Sequence, residues 1–235
     1  MNQAKIVGIG ACVMDTLITV PHYPTEDTKL RALSSKPAGG GPVATGLVAA
    51  QKLGVPAAFI GVLSDDAGGQ FLISDFAKYG MTADQITVRS GYRSFTSCIW
   101  LSQASTSRTC VFDKGNLPPL TLTDAQKQAI ADADLLMVDG NELEAAIDGA
   151  QWAHAHGTKV LYDAGGRYDG VERLLPLADY LIPSEEFAMG FTGCPDAESA
   201  ARALYEQFRP EAVVVTCGKR GGVLYNGTAV WYPIY

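Results

Sequence analysis

Apolar residues along this chain fall into short runs separated by stretches of helical spacing. The runs Lys5–Ile9, Ala57–Leu63, Asp134–Val138, Lys159–Tyr162, Tyr180–Ile182 and Ala212–Thr216 are bounded by polar or Gly/Pro residues. Most are β-branched or Leu-rich, which predicts buried strands. Between them, Pro42–Leu53 sets Val43, Leu47, Ala50 and Leu53 at helical spacing and stops at Gly54-Val55-Pro56. Ala67–Tyr79 carries Phe71, Leu72, Phe76 and Tyr79 and ends at Gly80. Thr123 with Gln126 reads as a capping box, as does Asn141 with Glu144, and Gly157 ends the helix that follows. Asp196 caps a helix running to Phe208, closed by Pro210. Such alternation predicts a mainly parallel α/β sheet covered on both faces.

Two stretches leave this rhythm. Ala11–Val20 and Leu30–Ser35 lie between the first strand and the first helix. Phe95–Leu101 and Arg108–Asp113 form a hairpin pattern around the polar loop Gln103–Ser107. Four extended segments outside the βα order predict a small antiparallel lid over the sheet's C-terminal edge. Leu30–Ser35 and Phe95–Leu101 are apolar on both faces for part of their length. Lids of two chains are therefore expected to pack together as a homodimer.

Composition narrows the function classes. A chain of 235 residues with 47% hydrophobic content buries a sizeable core without disulfide or metal staples, which excludes disorder. Its net charge of −7 disfavours phosphate backbones and anionic lipid, so neither nucleic acid nor a membrane is an expected partner. Cys12, Cys98, Cys110, Cys194 and Cys217 form no CxxC pair and are expected to be reduced thiols, mostly filling the core. The apolar run Ile6–Met14 stops at Asp15 without a small-residue cleavage site, which predicts a first strand and not a signal peptide. No stretch approaches the roughly 18 apolar residues of a membrane span. A soluble, cytoplasmic protein is expected.

Candidate chemistry is concentrated at strand ends. Gly8-x-Gly10 lacks the third glycine of a dinucleotide fingerprint, since position 13 is Val13, and no helix follows directly. Asp15 falls just after a buried strand in an apolar stretch; it is either a turn or cap aspartate or a carboxylate that accepts sugar hydroxyl protons. Ala38-Gly39-Gly40-Gly41-Pro42 opens a helix, where glycines admit a ligand to the backbone and free N–H groups would bind a polyol or anion. Val213 to Gly222 joins a buried strand to Thr216, Lys219, Arg220 and several glycines, a turn able to cradle a polyphosphate or simply to connect two strands. Ser64-Asp65-Asp66 followed by Gly68-Gly69 could form an anion nest, but a capped helix start explains it more simply. His22, His154 and His156 assemble no metal cluster or catalytic triad.

Taken in order, these segments resemble the ribokinase-like (pfkB-type) carbohydrate kinases along nearly the whole chain. Gly8-Ile9-Gly10 through Asp15 is similar to the family's first strand and sugar-binding aspartate. Gly39–Gly54 is similar to its glycine-glycine signature and helix, and Gly61–Met81 to its G-x-x-G-x-D-x-x-G stretch. Leu181–Gly193 resembles its N-x-x-E region, and Thr216–Gly222 its T-x-G-x-x-G nucleotide turn.

The resemblance implies a three-layer α/β/α sandwich with a small antiparallel β lid. It is read as a single domain over residues 1–235 lacking its C-terminal part, with the lid drawn from residues 11–36 and 92–115. It implies transfer of the ATP γ-phosphoryl group to a hydroxyl of a small sugar (a ketose, pentose or related compound), with ATP and Mg²⁺ as cofactors. Asp15, Gly39, Gly40 and Gly41 would hold the sugar, with Lys29, Asn116 and Asn141 as further candidates. Ser184, Thr216, Gly218, Lys219 and Gly221 would hold the nucleotide, and Glu185 would reach the metal through water.

There are departures. Ala44 stands where the family often has a sugar-binding Asn, Ser184 replaces the N-x-x-E asparagine, and Phe187 replaces its last glutamate. The catalytic D-T-x-G-A-G-D signature is expected beyond Tyr235, so residues 1–235 alone are expected to be inactive and prone to aggregate. A catalytically inactive sugar-binding or regulatory protein of the same fold is the alternative.

Overall fold

The computed structural model describes residues 5–234. From the start of the chain, β1 (Ile6–Ile9) leads into lid strands β2 (Val13–Val20) and β3 (Ser34–Gly40). Helix α1 (Pro42–Lys52), β4 (Ala57–Ser64), α2 (Ala67–Lys78) and β5 (Ile86–Arg89) follow. The chain re-enters the lid as β6 (Thr96–Ser102) and β7 (Ser107–Asp113). The remainder runs α3 (Asp124–Ala131), β8 (Leu135–Val138), α4 (Leu143–His156), β9 (Lys159–Ala164) and β10 (Tyr180–Pro183). It continues as α5 (Glu185–Thr192), α6 (Ala197–Phe208), β11 (Ala212–Thr216), β12 (Gly222–Tyr225) and β13 (Ala229–Tyr232).

These strands form two sheets. The main sheet has nine strands in the order β13-β12-β11-β10-β9-β8-β1-β4-β5. It is parallel from β5 to β11, and β12 and β13 close it antiparallel. The lid is a four-stranded sheet in the order β3-β2-β6-β7, in which β2 and β6 run parallel. This is the expected α/β sandwich with a β lid, although one lid pair is parallel.

Alternation along the strands decides which helix each residue meets. A Cβ added at Gly8 would strike Val43 and Leu47 of α1, whereas Gly149 of α4 lies against Ile9 and Leu136. Helices α1 and α2 thus cover one face, with Val43, Leu47, Phe59, Leu72 and Phe76 as their core. On the other face α4 and α6 bury Ile9, Leu136, Val160, Leu181, Val213 and Val215. Cover is uneven. Val214 and Leu224, paired across β11 and β12, point away from α6 and are only half-buried. The double cover expected from the sequence therefore holds for the middle of the sheet and not for this end of it.

Most element ends follow their capping chemistry. Thr123 and Gln126 make the reciprocal capping box of α3, Asp66 accepts from Gly69 N at 2.9 Å, and Asp196 accepts from Ser199 N at 2.8 Å. The Asn141–Glu144 box does not form. Helix α4 starts one residue later than that box requires, with Glu142 at the cap position and no side-chain cap bond. Asn141 is drawn to Asp139 instead, and Glu144 grips Arg173 at 2.5 and 3.0 Å.

The second lid strand is also displaced, to Ser34–Gly40, because β2 pairs with it in register from Val13↔Gly40 to Thr19↔Ser34. Partners along that length hold even the glycines extended. Only Cys12 and Cys217 are buried; Cys98 and Cys194 are half-buried and Cys110 is exposed, all five free. No helix among the described residues is long and apolar enough to cross a membrane.

Candidate functional site

In an open parallel sheet, the C-terminal edge has a crevice where the chain order reverses direction, because loops from the two flanking strands diverge there. Here that point lies between β1 and β8. From β1 the chain winds through β4 to β5, and from β8 it winds the opposite way through β9, β10 and β11. The residues immediately after these two strands are Gly10-Ala11 and Asp139-Gly140-Asn141.

Asp139 locks this crevice. It is 5% exposed, and its Oδ2 accepts from Ala11 N at 2.9 Å and Val43 N at 3.3 Å. Its Oδ1 accepts from Asn141 N at 3.0 Å and Asn141 Nδ2 at 3.1 Å. The first turn of α1 was expected to offer free N–H groups to a ligand; Val43 N is instead spent on Asp139. A negative carboxylate there also suits the positive end of the helix dipole. Gly10 makes the approach possible, since a Cβ on it would stand 2.5 Å from Asp139 oxygen.

Above this floor stands Asp15 on β2, 9% exposed, with Oδ1 accepting from Ser97 Oγ of β6 at 2.6 Å. A Cβ on Gly40 would overlap Asp15 Oδ2. Gly39 faces Asp75 of α2, 2.6 Å from where its Cβ would be. The glycine pair therefore passes between two carboxylates, and a cavity of about 340 Å³ opens between β3, α1 and α2 on the Asp75 side. Gly41, at φ 99°, turns the chain into α1 directly over Ala11 O. Burial pushes the pKa of Asp15 up, against the Ser97 bond that lowers it.

The lid is rooted by polar clamps. Asp66 accepts from Ser94 N at 2.8 Å and Ser94 Oγ at 2.5 Å where the chain enters β6. Burial raises the Asp66 pKa, but these bonds and that from Gly69 outweigh it and hold the carboxyl below its ordinary value. Asn116 Oδ1 accepts from Arg93 N at 2.7 Å, which ties lid exit to lid entry. Glu142 Oε2 accepts from Leu120 N at 3.0 Å. Burial raises the Glu142 pKa, with Lys114 opposing the shift. Next along the edge, Asp163 at the end of β9 is pushed up to about 6 by burial and by Asp139.

The candidate nucleotide residues gather three strands away. Ser184 and Thr216 form a parallel bridge at the ends of β10 and β11. Ser184 Oγ accepts from Phe187 N at 3.1 Å and so caps α5. Glu185, the candidate metal-water residue, is paired with Arg220. Gly218 and Gly221 take φ of 54° and 83°, giving the turn a conformation that glycine reaches freely. Lys219 Nζ donates to Thr106 Oγ1 of the lid tip at 2.9 Å.

The structure thus brings Asp15, Gly40 and Gly41 into one crevice with Asn141 on its floor, and groups Ser184, Thr216, Gly218, Lys219 and Gly221 as a second cluster. Asn116 stands at the lid root, and Lys29 is exposed between β2 and β3. Asp139, Glu142 and Asp163 did not figure among the sequence candidates. For Asp139 and Asp163 the signal was the one that singled out Asp15, an acid directly after or near the end of an apolar strand. Glu142 stands four residues beyond β8, at the cap of α4, and carried no such signal.

A family model described as "pfkB family carbohydrate kinase" matches residues 3–234. The chain is 25% identical over 223 residues to mouse (Mus musculus) ketohexokinase, covering 92% of this chain and 74% of that protein. It is 28% identical over 222 residues to ribokinase of Haemophilus influenzae, covering 91% of this chain and 72% of that one. Among solved structures, Arabidopsis thaliana ribokinase in complex with ribose and ATP superposes with a TM-score of 0.82 at 19% identity. That match covers 99% of this chain and 79% of the Arabidopsis chain. With the crevice, the lid and the glycine turn in their places on this fold, the chain belongs to the pfkB family of carbohydrate kinases.

Proposed function

We propose that this protein binds a small sugar under the lid at the β1/β8 crevice and ATP along the Thr216–Gly221 turn, for transfer of the γ-phosphoryl group to a sugar hydroxyl. The observation that carries this reading is Asp15, a carboxylate held in the crevice by Ser97 and left room by Gly40. Such a group accepts two hydroxyl protons, and a polyol offers what it lacks. The related ketohexokinase and ribokinase are named for a ketose and a pentose, the two sugar classes favoured here. Gly39 and Gly41 line the same strand and turn, and Asn141, oriented by Asp139, presents its amide at the floor. Lys29 and Asn116 belong to the lid side.

For the nucleotide, the glycines of the turn let the backbone approach a phosphate chain, Lys219 supplies charge, and Ser184 and Thr216 supply hydroxyls. Among the described residues no group of three or more His, Cys, Asp or Glu could hold a metal ion. We assign Glu185, at the start of α5, to Mg²⁺ through water, with phosphate oxygens and water as the ion's other ligands. When bound, the ion neutralises charge on the phosphates. The sequence contains no Gly-Ala-Gly-Asp segment, and we assign the general base to none of residues 5–234.

Calorimetric titration of ketoses, pentoses and nucleosides, with and without Mg-ATP, tests this reading. Asp15→Ala is expected to weaken sugar binding by about 1.5–3 kcal/mol and leave ATP affinity nearly unchanged. Absence of any sugar binding by the native chain would overturn it. A sugar that binds while ATP does not would favour the sugar-binding, non-catalytic alternative.

The lid also carries Trp100, Val111 and Phe112, which are 37%, 69% and 54% exposed, and a second lid is the cover we assign to them. Sedimentation at micromolar concentration is expected to show a dimer.

A further inference from the structure

The tip of the lid hairpin, between β6 and β7, is built more tightly than a solvated loop needs to be. Gln103 N and Ala104 N donate to Val20 O and Pro21 O, both at 3.0 Å. Ser105 Oγ and Ser107 Oγ share a bond of 2.7 Å, and Ser107 Oγ reaches Tyr23 Oη at 3.3 Å. Within this frame Thr106 sits at φ 48°. A β-branched residue is disfavoured in the left-handed region, where Gly or Asn fits without strain, so its presence there is an outlier that points to a use.

The use is visible in the hydroxyl. Thr106 Oγ1 donates its proton to Ser105 O at 2.8 Å. Its oxygen is thereby turned outward as an acceptor, and it accepts from Lys219 Nζ at 2.9 Å. This bond joins the lid tip to the glycine turn after β11. Arg220, the neighbouring cation, is already committed to Glu185. Glycine or asparagine at the tip would relieve the backbone, but neither presents a hydroxyl oxygen at this place.

We propose that Thr106 is a positioning residue: the lid tip holds the Lys219 ammonium at the glycine turn after β11, so that lid closure and phosphate binding reinforce one another. This rests on the reading of Thr216–Gly221 as the nucleotide turn. A lysine ammonium has three N–H donors; one goes to Thr106 and two are left for phosphate oxygens. Fixing a flexible lysine before the anion arrives removes part of the ordering cost of binding. By linkage, a bound phosphate chain holds the lid down as strongly as the lid tip favours the phosphate.

The test uses the native chain, Thr106→Val, Thr106→Ser and Lys219→Met. Thr106→Val keeps the branched shape and removes the acceptor; Thr106→Ser keeps the acceptor. ATP affinity by calorimetry is expected to fall about 5-fold in Thr106→Val, the effect of one exposed charged hydrogen bond, and to stay near native in Thr106→Ser. Amide exchange across β6 and β7, measured without ligand, is expected to speed up in both Thr106→Val and Lys219→Met. Trp100 emission, a reporter inside β6, is expected to respond to ATP in the native chain and not in Thr106→Val.

The outcomes separate the two claims. If Lys219→Met binds ATP as tightly as the native chain, the nucleotide reading of Lys219 fails and the coupling fails with it. If Lys219→Met weakens ATP while Thr106→Val changes neither affinity nor lid exchange, the nucleotide turn stands and Thr106 loses its role.

Discussion

The two edges of the main sheet treat their charges in opposite ways. At the edge where the parallel strands begin, Asp179 accepts from Val160 N at 2.8 Å and Lys159 Nζ at 3.1 Å, with His154 Nε2 also at 3.1 Å. Lys159 reaches Glu211 at 2.7 Å, and Glu211 accepts from Tyr180 Oη at 2.6 Å. Burial alone would raise Asp179, but the Val160, Lys159 and His154 bonds outweigh it and hold its pKa below the ordinary range. Glu211 is lowered by its bonds to Lys159 and Tyr180, and Lys159 is raised by both acids. At the edge where those strands end, Asp15, Glu142 and Asp163 are raised, in each case chiefly by burial, while Asp66, which clamps the lid root, is lowered by its Ser94 and Gly69 bonds. One edge spends its charges on holding strands together. The other keeps three carboxylates buried around the proposed crevice, a pattern expected of a functional site.

Removing Asp139 should break this contrast most severely. Asp139→Ala leaves the Ala11, Val43 and Asn141 N–H groups without their acceptor, and a loss of about 3 kcal/mol or more in urea unfolding is expected. A loss below about 1 kcal/mol would mean that water replaces the carboxylate easily. Next comes Asp15→Asn, which should raise stability at neutral pH, because it removes a charge that burial disfavours, while sugar binding weakens. Stability and affinity both falling would make Asp15 a structural group.

The pH dependence sharpens the comparison. The folded pKa of Asp163 lies near 6, above its ordinary value of 3.8. The folded state therefore binds the proton more tightly, and its contribution is present at low pH and lost as pH rises from about 4 to 6. The expected change is on the order of 2 kcal/mol, and Asp163→Asn should flatten it. Asp179 and Glu211 have the opposite sign: their lowered values give stability above the ordinary carboxylate range that is lost as pH falls. Unfolding curves from pH 4 to 7 for Asp163→Asn and Asp179→Asn should thus diverge in slope. The smallest effect is expected from Lys159→Met, an exposed cation whose loss should shift the unfolding midpoint slightly and leave ligand binding untouched.

The contrast between the edges also explains what the sequence made legible. Strands, most helices and three caps followed local rules, as with Thr123 and Gln126, whose partners are three residues apart. The lid hairpin was legible for the same reason. Asp139 was not, because its acceptors' partners at Ala11 and Val43 are 128 and 96 residues away. Only the strand order brings them together. The same long-range bond removed Asn141 from its apparent capping box, so one missed contact produced one false cap. Strand β3 was misplaced because Pro37, Gly39 and Gly40 read locally as a turn, while the pairing with β2 that holds them extended lies outside any local window. Asp15 was legible as a candidate because the apolar residues on both sides of it isolate it in the sequence itself.

The acids that fill the space of absent side chains have a consequence for how this protein can change over time. Gly10 with Asp139, Gly40 with Asp15 and Gly39 with Asp75 are couples in which the carboxylate occupies the volume a Cβ would take. Neither member can be exchanged freely: alanine at the glycine collides with the acid, and loss of the acid leaves the glycine without its reason. In a library of random variants these six positions should behave as three linked pairs, with the damage of a glycine replacement largely absent once the partner acid has already been shortened. Specificity drift around the crevice would then have to proceed through paired substitutions, or pass around these sites through the lid residues that face them.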